Sequence, residues 1–257
     1  MGIDRRSALG LLAVAPVALA ARAASGAAKL NVGDPLSRFN LLTPGPRSYL
    51  ISSIKDGRHV AQNIWRREVK FEIFDGKPRF RISQHWDGVG LAPALVERES
   101  LFEMGTFRPS LHTRVTTKDG QRIVEGFLFG AHLISGLPGL TDNIRADFSV
   151  ASDEPMYNFE TDIELLQALP WSRGYSVSIP FFHPAPGSVP ARYLWSMTDE
   201  DALPGPDGRV VDCWVVSCDY NKGTAPTRFW LAKRTQQLIK MEGRGIDGVI
   251  RRKTLLY

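Results

Sequence analysis

The side chains that could carry acid–base or metal chemistry are scattered along this sequence. Its five histidines, at positions 59, 85, 112, 132 and 183, form no H-x-x-x-H or H-x-H pair, so their spacing does not predict a zinc site. The sequence also contains no G-x-S-x-G nucleophile elbow and no phosphate-binding P-loop. We therefore expect no metal ion and no other cofactor.

One segment places a serine, a histidine and an aspartate, Ser83, His85 and Asp87, on the same face of a predicted strand. Side chains two positions apart on a strand are separated by about 7 Å, which is too far for direct hydrogen bonds between them. An enzyme would instead need polar residues from different strands, such as Arg81, His85 and Asp147, to meet in one pocket. We therefore expect no catalytic residues, and a hydrolytic enzyme is the least favoured alternative.

The two cysteines are predicted to remain unpaired. Cys213 and Cys218 lie in one β-branched and aromatic segment, residues 210–218, that is typical of a single strand. Five steps along a strand separate their Cα atoms by about 16 Å and turn them to opposite faces, whereas a disulfide needs Cα atoms within about 7 Å. We expect two free thiols, at least one of them packed as a small apolar side chain.

The dominant pattern in the chain is an alternation of apolar and polar residues with a period of two, which is typical of half-buried strands. Val69 and Phe71 alternate with charged residues. A turn at Asp75 and Gly76 follows, and the alternation resumes at Phe80, so this segment predicts a β-hairpin. Similar patterns predict strands at residues 50–55, 96–103, 111–117, 123–129, 144–150, 175–181, 193–197, 210–218, 228–232, 238–242 and 249–255.

These strands predict one mostly β domain over residues 29–257. Short turns join most neighbours, which favours an antiparallel sheet, and so many strands exceed what an open sheet carries without curling. We expect an antiparallel curved sheet or open β-barrel with one or two short helices. The best helix candidate is residues 162–169, with Thr161 and Glu164 at capping-box spacing and Pro170 at its end. Strands do not alternate with long helices, which argues against a nucleotide-binding doubly wound sheet.

A set of large aromatic side chains is expected on the inner face of this curved sheet. Such residues either fill the core or line a cavity for an apolar ligand. The candidate ligand-lining residues are Phe71, Phe80, Trp86, Phe127, Phe148, Trp195, Trp214 and Phe229.

Residues 1–28 have the features of an export signal. Arg5 and Arg6 precede an apolar run over residues 8–21, which is shorter than the roughly 20 residues of a membrane-spanning helix. Small residues at A-x-A spacing predict cleavage near Ala20 or Ala23. The paired arginines are typical of a twin-arginine signal, and an ordinary secretory signal is the alternative. We therefore expect a periplasmic protein.

The charge of the chain argues against one class of partner. Its 32 Lys and Arg and 27 Asp and Glu, over 257 residues, give a formal charge of only +5. No basic stretch is long enough to follow a phosphate backbone, so we expect no nucleic acid partner. The basic segments 66–67, 233–234 and 251–253 fit either a solvated sheet face or contact with acidic groups of a partner.

The C-terminal third carries a more specific pattern. A Phe-Trp-Leu-Ala-Lys segment at residues 229–233 is followed by a turn containing Thr235 and by Ile-Lys-Met-Glu at residues 239–242. Over residues 190–257 this pattern resembles an exported bacterial family of unknown function whose fold is similar to the lipoprotein-sorting half-barrels of the LolA and LolB type. Ala232 replaces the acidic residue usual in that segment. The resemblance implies a fold, and implies a ligand much more weakly.

Taken together, these patterns predict a periplasmic, non-catalytic binding protein that holds an apolar or lipid-like ligand in a concave β-sheet. The alternative is a structural or accessory partner of a cell-envelope complex, with an exposed strand edge binding an envelope protein.

Overall fold

The computed structural model describes residues 26–88, 94–185, 187–220 and 225–257. Most of the predicted export signal, with both predicted cleavage positions, lies outside the described residues.

Sixteen strands and one short α-helix make up the regular structure of the described chain. The strands are β1 (Ala28–Lys29), β2 (Gly45–Lys55), β3 (Arg58–Phe74), β4 (Lys77–Gly88), β5 (Leu95–Glu103), β6 (Pro109–Lys118), β7 (Gln121–Phe129), β8 (Leu133–Gly136), β9 (Ser149–Ala151), β10 (Tyr157–Asn158), β11 (Ser176–Phe182), β12 (Ala191–Pro204), β13 (Val210–Cys218), β14 (Thr227–Ala232), β15 (Leu238–Arg244) and β16 (Ile250–Leu256). Helix α1 spans Asp162–Gln167, and short 3-10 turns occupy Phe39–Leu41, Phe159–Thr161 and Pro206–Gly208.

The strands form one sheet built from two antiparallel meanders. Strands β2 to β9 follow one another in the first meander, β11 to β16 follow one another in the second, and β16 pairs with β2 to join them. Strands β1 and β10 add to β11 in parallel. The path ends at β9 on one side and at β1 on the other, so the sheet is not closed. The prediction of a mostly β protein with a curved open sheet and a short helix is confirmed.

Three hairpins of the first meander turn on the same dipeptide. Asp75 and Gly76 join β3 to β4 with φ angles of 50° and 69°, and Asp-Gly pairs at residues 56–57 and 119–120 also have positive φ at both positions. Two-residue turns of this kind match the right-handed twist of the strands, and glycine adopts the second position without steric strain. The turns predicted at residues 75–76 and 119–120 are confirmed.

A segment that we call the plug, residues 156–171, fills part of the space inside the curve of the sheet. All six residues of α1 are buried. Leu165 and Leu166 belong to one apolar cluster together with Trp65 from the first meander and Trp195 and Phe229 from the second. Because both meanders pack on the plug, the helix holds the two halves of the sheet in a bent arrangement.

A second apolar cluster lies between the two free ends of the sheet. Phe182 of β11 packs against Phe129 of β7, with ring centroids 6.4 Å apart, and against Phe148, at 6.0 Å. Phe127, Ile134 and Met156 complete this cluster. Side-chain packing therefore spans an opening that no backbone pairing closes.

The predicted strand over residues 144–150 is mostly wrong. Only Ser149–Ala151 is extended, because Asn143 holds the preceding residues in a turn. Its Oδ1 accepts from the backbone N–H of Gly126 (2.9 Å) and of Arg145 (3.0 Å), and its Nδ2 donates to the carbonyl of Leu137 (3.1 Å). These bonds offer the backbone an alternative to strand pairing. The short strand β8 was not predicted.

The predicted helix is present but ends at Gln167, and its capping box is not formed. The hydroxyl of Thr161 donates to the carbonyl of Asn158 (2.9 Å) instead of accepting from the helix. Asp162, the first residue of the helix, instead accepts from the adjacent N–H of Ile163 through its Oδ1 (2.8 Å).

Cys213 and Cys218 are both free and buried, as predicted. Among the described residues, no helix is long and apolar enough to cross a membrane.

Candidate functional site

A row of polar side chains crosses the inner face of the first meander. Arg67 pairs in register with Gln84, Gln84 with Arg98, Arg98 with Arg114, and Arg114 with Glu125, on strands β3 to β7. Paired residues on neighbouring strands point to the same face, so these five side chains form one line across the sheet. We call this line the polar row.

The plug supplies the carboxylates that face the polar row. Arg67 donates two hydrogen bonds to the Glu164 carboxylate, one from Nε to Oε1 at 2.7 Å and one from Nη2 to Oε2. The Glu160 carboxylate pairs with Arg98 and lies 3.9 Å from Nη1 of Arg114. The backbone carbonyl of Glu160 also accepts from Nε2 of Gln84 (2.8 Å) and Nη2 of Arg67 (3.2 Å). Glu160 thus ties the plug to four strands, β3 to β6.

The arginines of the polar row keep Glu160 of the plug ionised. Burial alone would raise the pKa of Glu160, but Arg98, His112 and Arg114 outweigh it and hold this pKa below its usual value. Burial lowers the pKa of Arg98 to about 10. An ion-paired carboxylate of this kind is a poor proton donor at neutral pH.

His112 lies next to the polar row as a neutral side chain. Burial is the largest cause that lowers its pKa to about 3. Its Nδ1 is 2.8 Å from Oγ of Ser100, which also accepts from Nδ2 of Asn158 at 3.3 Å. The Nε2 of His112 is buried and has no hydrogen-bond partner in the part of the chain that the structure describes.

Two further ionisable residues, Asp162 of the plug and Lys253 of β16, extend the site toward β16. The hydroxyl of Tyr220 donates to Oδ2 of Asp162 (3.2 Å), and burial raises the pKa of this aspartate. The ammonium of Lys253 lies 4.2 Å from the ring centroid of Trp65, and burial lowers the pKa of Lys253 to about 8. The ring of Trp65 also contacts the guanidinium of Arg67, 4.3 Å from its centroid.

Part of the concave face is apolar and only partly covered. We call the following set the inner apolar surface, because its members pack against the core and yet keep some exposure: Ile51, Trp86, Tyr193, Met197 and Met241. Ile51 and Met241 are the register partners of Lys253 on either side of β16. Trp86 lies two residues from Gln84 on the same face of β4, so the inner apolar surface and the polar row are adjacent.

The eight aromatic residues proposed from the sequence do not share one environment. Phe80, Phe127, Trp195 and Phe229 are fully buried, and Trp86, Phe148 and Trp214 are half-buried. Phe71 is 42% exposed at the margin of the sheet, where its ring lies 6.3 Å from that of Phe39. Of the eight, Trp86 belongs to the inner apolar surface; a ligand-lining role for the set stays a prediction.

On the outer face of β4, the prediction that side chains two positions apart are too far apart for direct hydrogen bonds is wrong for His85 and Asp87. Nε2 of His85 lies 2.7 Å from Oδ1 of Asp87, because the two side chains lean toward each other along the strand, and Nδ1 lies 3.8 Å from Oε1 of Glu97. This group borders a depression of about 280 Å³ that Ser83 also lines. Only Nε2 of His85 is within hydrogen-bond distance of a carboxylate. Arg81 pairs with Glu72 and Glu99, on the same outer face.

Within the described ranges, no three His, Cys, Asp or Glu side chains are grouped so that they could hold a metal ion.

The fold and the plugged interior define a β-barrel-like protein. Residues 48–244 match the profile of a family described as "Protein of unknown function (DUF3108)", and the chain belongs to this family. A crystal structure described as a beta-barrel-like protein of domain of unknown function DUF1849 from Brucella abortus is similar in fold, with a TM-score of 0.53. It is 9% identical in sequence, and the match covers 84% of this chain and 96% of that one. No curated protein matches this chain. The resemblance to LolA and LolB stays a prediction.

Proposed function

We propose that this protein is an exported, non-catalytic binding protein that holds an apolar or lipid-like ligand against the concave face of its sheet. The observation that carries this proposal is the inner apolar surface, where apolar side chains on the inside of the curve are left partly uncovered. Export is supported by the signal-like sequence of residues 1–28.

The chemistry of the inner apolar surface suits a flexible apolar ligand. Met197 and Met241 have unbranched side chains that adapt to irregular shapes, and Trp86 and Tyr193 offer large flat contacts. Burying an exposed side chain of this size fully is worth roughly 1.5–3 kcal/mol, and these side chains are already half-buried, so a chain-like ligand must cover several of them to gain useful affinity.

The polar row supports binding over catalysis. Its arginines are engaged by Glu125, Glu160 and Glu164, which leaves no glutamate of this set free to transfer protons. A buried serine beside a histidine does occur, at Ser100 and His112, but the lowered pKa of His112 makes it a poor base at neutral pH.

A neutral fluorescent probe tests the location of the binding surface. Nile red is titrated into the wild-type protein and into Met197→Glu and Leu194→Glu, which lie on the same strand. Met197 belongs to the inner apolar surface, whereas Leu194 is 55% exposed outside the core and serves as the matched control. Circular dichroism checks that both variants are folded.

We expect the probe to bind the wild type and Leu194→Glu with similar affinity and Met197→Glu at least tenfold more weakly, because a carboxylate in an apolar site must be desolvated. A wild type that does not bind Nile red, or a loss of binding in Leu194→Glu alone, contradicts the proposal.

A further inference from the structure

The charges inside the sheet are not all matched. Arg67 pairs with Glu164, Arg98 pairs with Glu160, and Glu125 accepts ion pairs from Arg114 (3.1 Å) and Arg145 (2.8 Å). Lys253 differs, because no carboxylate in the described ranges lies within ion-pair distance of its ammonium. A half-buried ammonium without such a partner is costly unless something else neutralises it.

The position of Lys253 joins the two parts of the site. Its ammonium rests on the ring of Trp65, next to the polar row, while its register neighbours Ile51 and Met241 belong to the inner apolar surface. The charged groups that act on it from the plug and the first meander are Asp162, Glu160, Arg67 and Arg98.

Both carboxylate oxygens of Asp162 already accept hydrogen bonds from other groups. Tyr220 and the N–H of Ile163 each donate to one of its oxygens. This aspartate is held by its own hydrogen bonds and stays beyond ion-pair distance of Lys253.

Two buried donors on residues that contact Trp65, the ring beneath Lys253, have no hydrogen-bond partner among the described residues. Nη1 of Arg67 and Nε1 of Trp86 are buried without a hydrogen bond, and the whole Arg67 side chain is only 1% exposed. Both residues contact the ring of Trp65, at 4.3 Å and 5.2 Å between centres. Buried donors are rarely left unsatisfied, and anionic oxygens are strong acceptors for such groups.

We propose that the ligand is an amphipathic anion, whose negatively charged oxygen head group binds Lys253 and whose apolar chain lies along the inner apolar surface. This proposal rests on the proposed function and adds the charge and the orientation of the ligand. The head group is a carboxylate or a phosphate, since both present the same anionic oxygens to an ammonium.

A matched pair of probes separates charge from apolar contact. The probes are dansylaminoundecanoic acid and its methyl ester, which share the same chain and differ in the anion. They are titrated into the wild type, Lys253→Met and Arg252→Met. Arg252 is the adjacent residue of β16, faces the other side of the sheet and pairs there with Glu242 at 2.6 Å, so it controls for the loss of one cation.

We expect Lys253→Met to bind the acid at least tenfold more weakly and the ester within twofold of the wild type. Arg252→Met should bind both probes as the wild type does. Lys253→Arg, which keeps the charge, should bind the acid more tightly than Lys253→Met does. Competition with dodecanoate and with dodecyl phosphate then shows which head group is preferred.

A pH series on the wild type decides the question if Lys253→Met does not fold. Raising the pH from 7 to 10 removes the proton from Lys253, so the acid should bind more weakly while the ester is unaffected. If Nile red binds but Lys253→Met, or the rise in pH, weakens acid and ester equally, the amphipathic-anion proposal is overturned. It is also overturned if Lys253→Met changes the binding of neither probe. If neither the two probes nor Nile red bind the wild type, the proposed function itself fails.

Discussion

Arg67 of the sheet and Glu164 of the plug form a buried two-point ion pair, with Nε of Arg67 2.7 Å from Oε1 of Glu164. The two side chains are 1% and 5% exposed and come from residues 97 positions apart. This pair fixes the depth and the orientation of α1 inside the curved sheet. The helix is too short to be stable by itself, so contacts of this kind decide where it lies.

Breaking this pair should weaken the whole fold. Glu164→Gln leaves the Arg67 guanidinium buried without its counter-charge, and we expect a loss of about 3 kcal/mol in the free energy of unfolding. The control is Arg66→Met, the neighbouring residue, whose ion pair with Asp87 is largely exposed and should contribute less than about 1 kcal/mol. Urea unfolding followed by circular dichroism measures both. Equal losses in the two variants contradict the assigned role of the pair.

His112 should make the fold sensitive to acid. Its pKa is lowered to about 3 in the folded protein from an ordinary value near 6.5, because burial disfavours the charged ring. The unfolded chain therefore takes up a proton first as the pH falls, and stability that is complete above pH 6.5 is lost progressively toward pH 3. From pH 7 to pH 4 the wild type should lose roughly 2–3 kcal/mol more than His112→Asn.

The measurement is a set of urea titrations of both proteins at matched pH values. Parallel pH profiles for the wild type and His112→Asn would show that His112 is not held in its neutral form.

Much of the fold follows from local patterns, whereas the site does not. The Asp75–Gly76 turn and the alternation around Phe80 are signals that lie within a few residues of each other. The polar row takes one residue from each of five strands, so Arg67 and Arg98 become neighbours only once the register is known. Asp162 and Glu164 would also be misassigned from sequence, because carboxylates usually indicate a solvated helix face. In the structure both are buried.

One signal for the site was nevertheless present in the sequence, because Met241 lies in the Ile-Lys-Met-Glu segment that carried the family resemblance. Residues 251–253 were predicted to form a solvated sheet face or a partner contact, whereas Lys253 lies on the inner face in register with Ile51 and Met241. The unmatched charge of Lys253 depends on the positions of every nearby carboxylate, which a sequence alone does not provide.

Lys253 should make the free energy of unfolding rise with pH in mildly alkaline solution. Burial lowers its pKa to about 8 in the folded protein, whereas the unfolded chain keeps the ordinary value near 10.5. Between these values the unfolded state holds more protons, so the free energy of unfolding should increase as the pH rises from 8 to 10.

For the ligand-free protein we expect a gain of roughly 1–2 kcal/mol relative to Lys253→Met, since the side chain is partly solvated. Thermal or urea unfolding at both pH values measures the difference. A wild type whose stability changes with pH in the same way as that of Lys253→Met contradicts this prediction.

The two cysteines should be inert in the folded protein. Burial raises the pKa of Cys213 to about 11 and raises that of Cys218 further, so neither forms a thiolate at neutral pH. We expect no alkylation by iodoacetamide under native conditions and two modifications after unfolding in guanidinium chloride, counted by intact mass. Rapid native labelling of either thiol would show that the second meander opens readily around β13.

Native mass spectrometry of the protein, recovered without detergent from the envelope fraction of an expressing bacterium, shows whether the protein carries an amphipathic anion. The wild type and Leu194→Glu should carry a bound molecule that organic solvent releases and that combines an apolar chain with a carboxylate or phosphate, while Met197→Glu should be free of it. Repeated recovery of the wild type at its bare chain mass, with no molecule in the solvent extract, would contradict the account.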